Sequence, residues 1–324
     1  MIIQTVCFGL IVYLGYFGVR LIEWNKISLV LPTLSCYYTD HRIAQCFLRA
    51  LQEGLSGGWK IAYTGLIPSI VLVAILGLIF GKAWCSWVCP LGFLQDLFSR
   101  IRKLPGIRHY NLSDNQKLVT VAGRWFLLSA LVVLAAGIGI PHFFMREFQY
   151  DLVTPFCQIC PGKQIFAFTQ GRFREMLTVD TISTLSAVMS WLAIVFFFFY
   201  LATTSFIRRL WCRLCPMGAM LGLFNRFSLL ALRKEGKRCT KCGICQRSCP
   251  TQVNEVYEEK EKERIVSSDC ILCFRCIEMC PEKEALRAGF LKSTIVRSTY
   301  KRFLKSTDIN VKNGKRKLSS EQNQ

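Results

Sequence analysis

Four stretches of the chain run almost without a charged side chain: residues 5–22, 61–80, 125–140 and 185–207. A helix needs about 20 residues to cross a hydrocarbon core of roughly 30 Å, so the pattern predicts about four transmembrane helices. Pro141 stops the third at its outer end, because proline cannot continue a helix. Residues 196–199 are all Phe, a run expected to face lipid or to pack against a neighbouring helix. The stretch after Cys89 and the one after Cys215 are each expected to form a re-entrant or interfacial helix along the membrane face. Beyond residue 235 the long apolar runs end and short, cysteine-studded, turn-rich sequence takes over. The fold class expected is therefore mostly α, with a membrane domain over 1–235, a small α+β domain over 236–290 and a Lys/Arg-rich polar tail over 291–324.

Basic residues orient the spans. The connection after the second span carries Lys82, Arg100, Arg102, Lys103, Arg108, Lys117 and Arg124. The segment after the fourth carries Arg208, Arg209, Arg213, Arg226, Arg233, Lys234, Lys237 and Arg238. The loop between the third and fourth balances Arg146, Lys163, Arg172 and Arg174 against Glu147, Asp151, Glu175 and Asp180. Positive charge stays on the cytoplasmic side, so both termini and the small domain are expected in the cytoplasm, with the chain multi-pass in a bacterial inner membrane. The first span has no basic leader or small-residue cleavage site and reads as a retained anchor.

The formal net charge of +20 suits either nucleic acid or an anionic membrane surface. The apolar runs favour the membrane, and no nucleic-acid partner is expected. Seventeen cysteines fall mostly in C-x-x-C clusters, which is metal-ligand spacing rather than a secreted disulfide framework. The only histidines are His41, His109 and His142. They are too few and too scattered to pair as axial haem ligands, and no C-x-x-C-H occurs, so no haem is expected and the redox groups should be iron–sulfur.

The strongest motif is Cys239-x2-Cys242-x2-Cys245-x3-Cys249-Pro250, repeated as Cys270-x2-Cys273-x2-Cys276-x3-Cys280-Pro281. This is the two-cluster spacing of bacterial ferredoxins, in which the fourth cysteine of each run reaches the other cluster. One [4Fe-4S] cluster is thus expected at Cys239, Cys242, Cys245 and Cys280, and another at Cys270, Cys273, Cys276 and Cys249. The charged stretch over 255–263 reads as a solvated hairpin.

Two further motifs close the second and fourth spans: Cys85-x3-Cys89-Pro90-x-Gly92 and Cys212-x2-Cys215-Pro216-x-Gly218. From the second cysteine onward, CPLGFLQDLFSR aligns with CPMGAMLGLFNR, six of twelve identical. Facing each other, Cys85, Cys89, Cys212 and Cys215 would supply a third [4Fe-4S] site at the inner membrane face. Alternatively, these are structural turns with buried cysteines.

In these residues and their order the chain resembles the membrane polyferredoxins typified by the quinol-dehydrogenase membrane subunit of periplasmic nitrate reductase systems. The C-terminal part of the nitrous-oxide reductase regulator and the oxidase-assembly polyferredoxins are similar. The resemblance runs to about residue 290. The second motif here is C-x2-C-P, where family members often have C-x3-C-P. It implies electron exchange with a quinone pool or a redox partner protein, as a subunit of a membrane oxidoreductase complex. An assembly or maturation factor that reduces a metal, and a redox-sensing regulator, are the alternative roles.

Cys36, Cys46, Cys157 and Cys160 lie in the two outward connections. They could hold a fourth cluster, or, in an oxidising compartment, form disulfides. A fourth cluster there would make a wire across the membrane, with a long gap between its two faces. No pattern marks a quinone pocket; Arg124 and His142, at opposite ends of the third span, are candidates by location alone. Cys7 is expected to be a small buried hydrophobe in the first span.

Overall fold

The computed structural model describes residues 2–17, 29–32, 44–56, 65–102, 110–139, 154–169, 171–179, 183–259, 261–291 and 293–304. Cys36, His41, His109 and His142 lie outside the described residues, as does the end of the basic tail.

Two described helices are long and apolar enough to cross a membrane: Asp114–Gly139 (here α6) and Thr184–Phe206 (α10). At 1.5 Å per residue, 26 and 23 residues extend about 39 and 35 Å, beyond a hydrocarbon core of roughly 30 Å. The α6 helix starts eleven residues before the apolar run does. Ser113 and Gln116 explain this, because each side chain bonds the other's backbone N–H and so nucleates the helix on polar residues. Ser183 and Ser186 make the same reciprocal cap on α10. The first and second apolar runs form shorter helices, Ile2–Phe17 (α1) and Ile67–Phe80 (α3). Residues 18–22 and 61–64 of those runs lie outside the described residues. Large apolar side chains stand exposed on all four helices, among them Val6, Val71, Phe126 and Trp191. Of the Phe run, Phe197 is buried while Phe198 and Phe199 face outward.

Short helices carry the chain between these four. After β1 (Leu29–Leu31), β2 (Ala44–Cys46) leads directly into α2 (Phe47–Ser56). Ala83–Trp87 (α4) and Pro90–Ile101 (α5) follow α3. Pro155–Ile159 (α7), Pro161–Thr169 (α8) and Phe173–Met176 (α9) precede α10, and Leu210–Leu214 (α11) and Pro216–Phe224 (α12) follow it. Cys89, Cys160 and Cys215 each occupy the residue before a proline-initiated helix, with (φ, ψ) of −63, 121; −66, 129; and −62, 128 degrees. Proline both forbids helix at the preceding residue and suits the first helical position. The three Cys-Pro pairs therefore give one turn three times.

The C-terminal unit is a four-stranded antiparallel sheet, ordered β4 (Arg264–Ile265), β3 (Leu230–Lys234), β5 (Leu286–Phe290), β6 (Ser293–Arg297). Short helices Ile244–Ser248 (α13), Glu255–Glu258 (α14) and Arg275–Glu278 (α15) pack on it over Leu232, Val256, Ile277 and Ala288. Val256 is buried, so the charged stretch over 255–263 contributes to the core as well as to the surface. The sheet continues past residue 290: β6 pairs with β5, and the Ser298 hydroxyl donates to the Glu282 carbonyl.

Candidate iron–sulfur sites

Two cavities inside the C-terminal unit are lined by the two halves of the tandem cysteine motif, with the fourth cysteines exchanged. Cys239, Cys242, Cys245 and Cys280 border one cavity. Cys249, Cys270, Cys273 and Cys276 border another. Each lining thus brings the first three cysteines of one run together with the fourth of the other. Each loop bends the same way. Lys241 and Gly243 on the first, and Leu272 and Phe274 on the second, all have positive φ, between 48 and 71 degrees. Left-handed conformations cost about 1 kcal/mol or more at non-glycine residues. They recur here because they turn successive N–H groups of the loop inward around the sulfurs, as anion-binding nests do.

The sulfurs are buried. Desolvation pushes the Cys270 thiol up to about 12 and Cys273 up to about 11, and raises Cys245, Cys276 and Cys280 as well. As bare thiols these groups stay protonated; iron must supply the positive charge that lets four thiolates share one apolar cavity. Among the described residues, no three Cys, His, Asp or Glu side chains converge on one point as they would around a single ion. All-sulfur sets spread around cavities of this kind fit a polynuclear cluster better than a mononuclear zinc.

The third set also assembles. Cys85, Cys89, Cys212 and Cys215 line one cavity with Leu91, Gly92, Gln95 and Met217. Gly92 and Gly218 permit it, since a Cβ would stand 2.4 Å from the Cys85 carbonyl oxygen at the first and 2.9 Å from that of Cys212 at the second. Burial raises the Cys85 thiol, and Lys82 pulls in the opposite direction. Arg209, with φ of 48 degrees, locks the site from one side. Its guanidinium donates to the Cys85 carbonyl at 3.0 Å and grips both carboxylate oxygens of Asp96. Burial alone would raise the Asp96 carboxyl, yet the Arg209 charge and hydrogen bonds hold it below the usual carboxylate range. Gln4 on α1 adds a hydrogen bond to the same carboxylate.

Buried cations fasten the C-terminal unit to the helices. Asp269, next to Cys270, is ion-paired with Arg124 of α6 and with Arg213 of α11, the latter at 3.0 Å. Arg124 also donates to the Ser268 hydroxyl, and Arg213 to the Thr251 carbonyl and the Thr120 hydroxyl. Lys82, fully buried, donates to the Ser268 carbonyl at 2.9 Å. The Trp87 indole donates to the Leu272 carbonyl, and Asn225 to the carbonyls of Ser267 and Cys270. Gly222 leaves room for the Ser268 carbonyl, which a Cβ would meet at 2.7 Å. Arg124, a quinone candidate by location, is thus engaged with Asp269, and sequence alone did not show this clamp. As a result Cys273 packs against the same core as Cys85, Cys212 and Cys215.

Of the outward-loop cysteines, Cys46, Cys157 and Cys160 lie among the described residues. Cys46 is buried in that same core and Cys160 packs against it, and Leu31, the strand partner of Cys46, adjoins Pro32 on the wall of the Cys85 cavity. No long gap separates them from the inner set. The physical reason is that α2, α7 and α8 pack inward, burying Phe47, Leu48, Phe156, Ile165 and Phe166 among the long helices. The structure records no disulfide among the described cysteines. Cys7, on α1, is half-buried.

The family comparisons agree with this layout. A 4Fe-4S binding domain matches residues 61–108 and again 189–238, and a 4Fe-4S dicluster domain matches residues 231–281. The chain is 28% identical to an uncharacterized protein of Methanocaldococcus jannaschii, over 76% of this chain and 86% of that one. It is 28% identical to the putative electron transport protein YccM of Escherichia coli, over 71% of this chain and 59% of the relative. It is 26% identical to the ferredoxin-type protein NapH of Haemophilus influenzae, over 83% and 80%. No solved structure matches the chain. Repeated 4Fe-4S domains, with relatives of this kind along most of the length, make the chain similar to the ferredoxin-type electron transport proteins.

Proposed function

We propose that the chain is a membrane-held one-electron relay with three cysteine tetrads in series: Cys85, Cys89, Cys212 and Cys215; then Cys249, Cys270, Cys273 and Cys276; then Cys239, Cys242, Cys245 and Cys280. Iron–sulfur clusters on such thiolates supply one-electron storage, at potentials set by burial and by hydrogen bonds to sulfur. The observation that carries the reading is the clamp. Asp269, Ser268 and Leu272 are gripped by Arg124, Arg213, Lys82 and Trp87, which keeps the second tetrad against the first. Val253 donates its N–H to the Cys249 sulfur at 3.4 Å, one of the contacts by which the protein sets the balance between tetrads. The helical part, up to about residue 229, anchors the relay in the membrane through α6, α10 and the shorter apolar helices. The sheet unit, 230–298, faces the cytoplasm, where basic flanks keep it. The relay exchanges electrons with the quinone pool or an outer partner at one end and a cytoplasmic redox protein at the other.

The test uses the intact protein in vesicles. Quinol should reduce the EPR signals of the sheet unit in the native chain and fail to do so in C212S/C215S, while dithionite reduces both. Quinol reduction at the native rate in C212S/C215S would overturn the series arrangement.

A further inference from the structure

Two glutamines, each fully buried, make the same three contacts in two places. Gln95, on α5, donates from Nε2 to the Leu91 carbonyl at 3.3 Å and to the Cys212 sulfur at 3.6 Å, and its Oε1 accepts the Trp211 N–H at 3.2 Å. Gln52, on α2, donates from Nε2 to the Leu48 carbonyl at 2.8 Å and to the Cys157 sulfur at 3.4 Å, and its Oε1 accepts the Phe156 N–H at 3.0 Å. The correspondence holds position by position. Each glutamine stands six residues after a cysteine, Cys46 or Cys89. Each bonds back to the carbonyl one turn earlier. Each reaches across to the first sulfur of a C-x2-C-Pro turn and to the N–H just before that sulfur. The second cysteines of the two turns, Cys160 and Cys215, have the same backbone conformation within a few degrees.

A buried carboxamide must have its polar atoms satisfied. Gln52 satisfies them on the Cys157 turn as Gln95 does on the Cys212 turn, and there the turn shares a cavity with Cys89, the cysteine that precedes the helix of Gln95 as Cys46 precedes that of Gln52. We propose that Cys46, Cys157 and Cys160 form a fourth thiolate site for an iron–sulfur cluster, the counterpart of Cys89, Cys212 and Cys215, with Gln52 as its positioning residue. This rests on the relay reading, in which the Cys89 set takes a cluster. The new site adjoins that one, since Cys46 shares its packed core. The amide N–H on Cys157 has a second consequence. Hydrogen bonds to cluster sulfur stabilise the reduced, more negative state and raise the potential.

The experiment is iron and acid-labile sulfide per chain on anaerobically purified full-length protein, with an EPR redox titration, for the native chain, C157S/C160S, C212S/C215S and Gln52→Leu. The native chain should hold roughly sixteen irons, four per cluster. Each double variant should lose roughly four of them. Gln52→Leu should keep its iron and shift one EPR component to lower potential, leaving the others in place. Roughly twelve irons in the native chain, unchanged in C157S/C160S but reduced in C212S/C215S, would overturn the fourth site and leave the relay standing. Roughly eight irons, unchanged in both variants, would remove the reading on which it rests. If C157S/C160S does not accumulate, the native count and the Gln52→Leu titration decide. Sixteen irons with a shifted component support the site, and twelve irons or an unshifted titration overturn it.

Discussion

Replacing Asp269 by Asn keeps its shape and removes the one carboxylate shared by Arg124 and Arg213. Both guanidiniums are almost wholly buried, at 2% and 3% side-chain exposure, and Asp269 is at 14%. Removing one partner of a buried ion pair destabilises by about 3–5 kcal/mol, because the charge left behind is neither hydrated nor compensated. The lower end applies here, since Arg124 keeps the Ser268 hydroxyl and Arg213 keeps two oxygen acceptors. About 3 kcal/mol is roughly a 150-fold shift toward the undocked state. The assay is amide hydrogen exchange over residues 267–273, measured beside iron content to confirm that the neighbouring Cys270 site is filled. Exchange there should speed up by about two orders of magnitude, with the sheet core around Leu232 and Ala288 unaffected. Because the pair is buried, added salt should change the result little. An Asp269→Asn protein whose exchange stays within about threefold of native would refute the argument that these ion pairs hold the docked state.

Gly92→Ala should be worse than Gly218→Ala, because the added methyl meets a backbone oxygen at 2.4 Å in one case and 2.9 Å in the other. Overpacking of this kind costs about 1–3 kcal/mol, and purified Gly92→Ala should lose iron from the Cys85 site first. Lys241→Gly should raise the urea midpoint, by relieving roughly 1 kcal/mol of left-handed strain at an exposed position. Leu272→Gly should lower it, since the same relief is outweighed by deleting a buried side chain. Asp96 has a folded pKa below its unfolded value of about 3.9. Its stabilisation is therefore complete above about pH 4 and is lost as pH falls through the depressed value. Tryptophan-monitored unfolding should show this acid limb in the native chain and a flatter one in Asp96→Asn.

Sequence made the tandem cysteine runs legible because their spacing is local. A C-x2-C loop and a following Cys-Pro set their own geometry, and the exchange of Cys249 and Cys280 follows from two such loops in one small unit. The repeated Cys-Pro turns were legible for the same reason. What pairs across the chain was not. Arg124 and Asp269 are 145 residues apart, and nothing in either local sequence names the other. The nearness of Cys46 to Cys215 was hidden as well, because apolar runs report that a segment is buried and not how deeply a short amphipathic helix tucks between its neighbours. The glutamine contacts did leave a trace, a Cys-x5-Gln spacing at Cys46 and again at Cys89. That trace has meaning only once the opposing turns are seen.

In the relay proposed above, the clamp on Asp269 also governs how the sheet unit exchanges electrons with a partner. A carrier domain on a loose tether would swing between donor and acceptor, and its turnover would slow in a viscous medium. Here the sheet unit behaves as a fixed terminal. Its outermost cysteine, Cys242, is exposed, and the basic side chains of Lys237 and Lys241 flank that loop. In the proposed relay any redox partner must come to this landing place, so throughput should follow the collision rate and charge of the visitor: faster for an acidic partner, slower as ionic strength rises, and indifferent to motions within the relay itself.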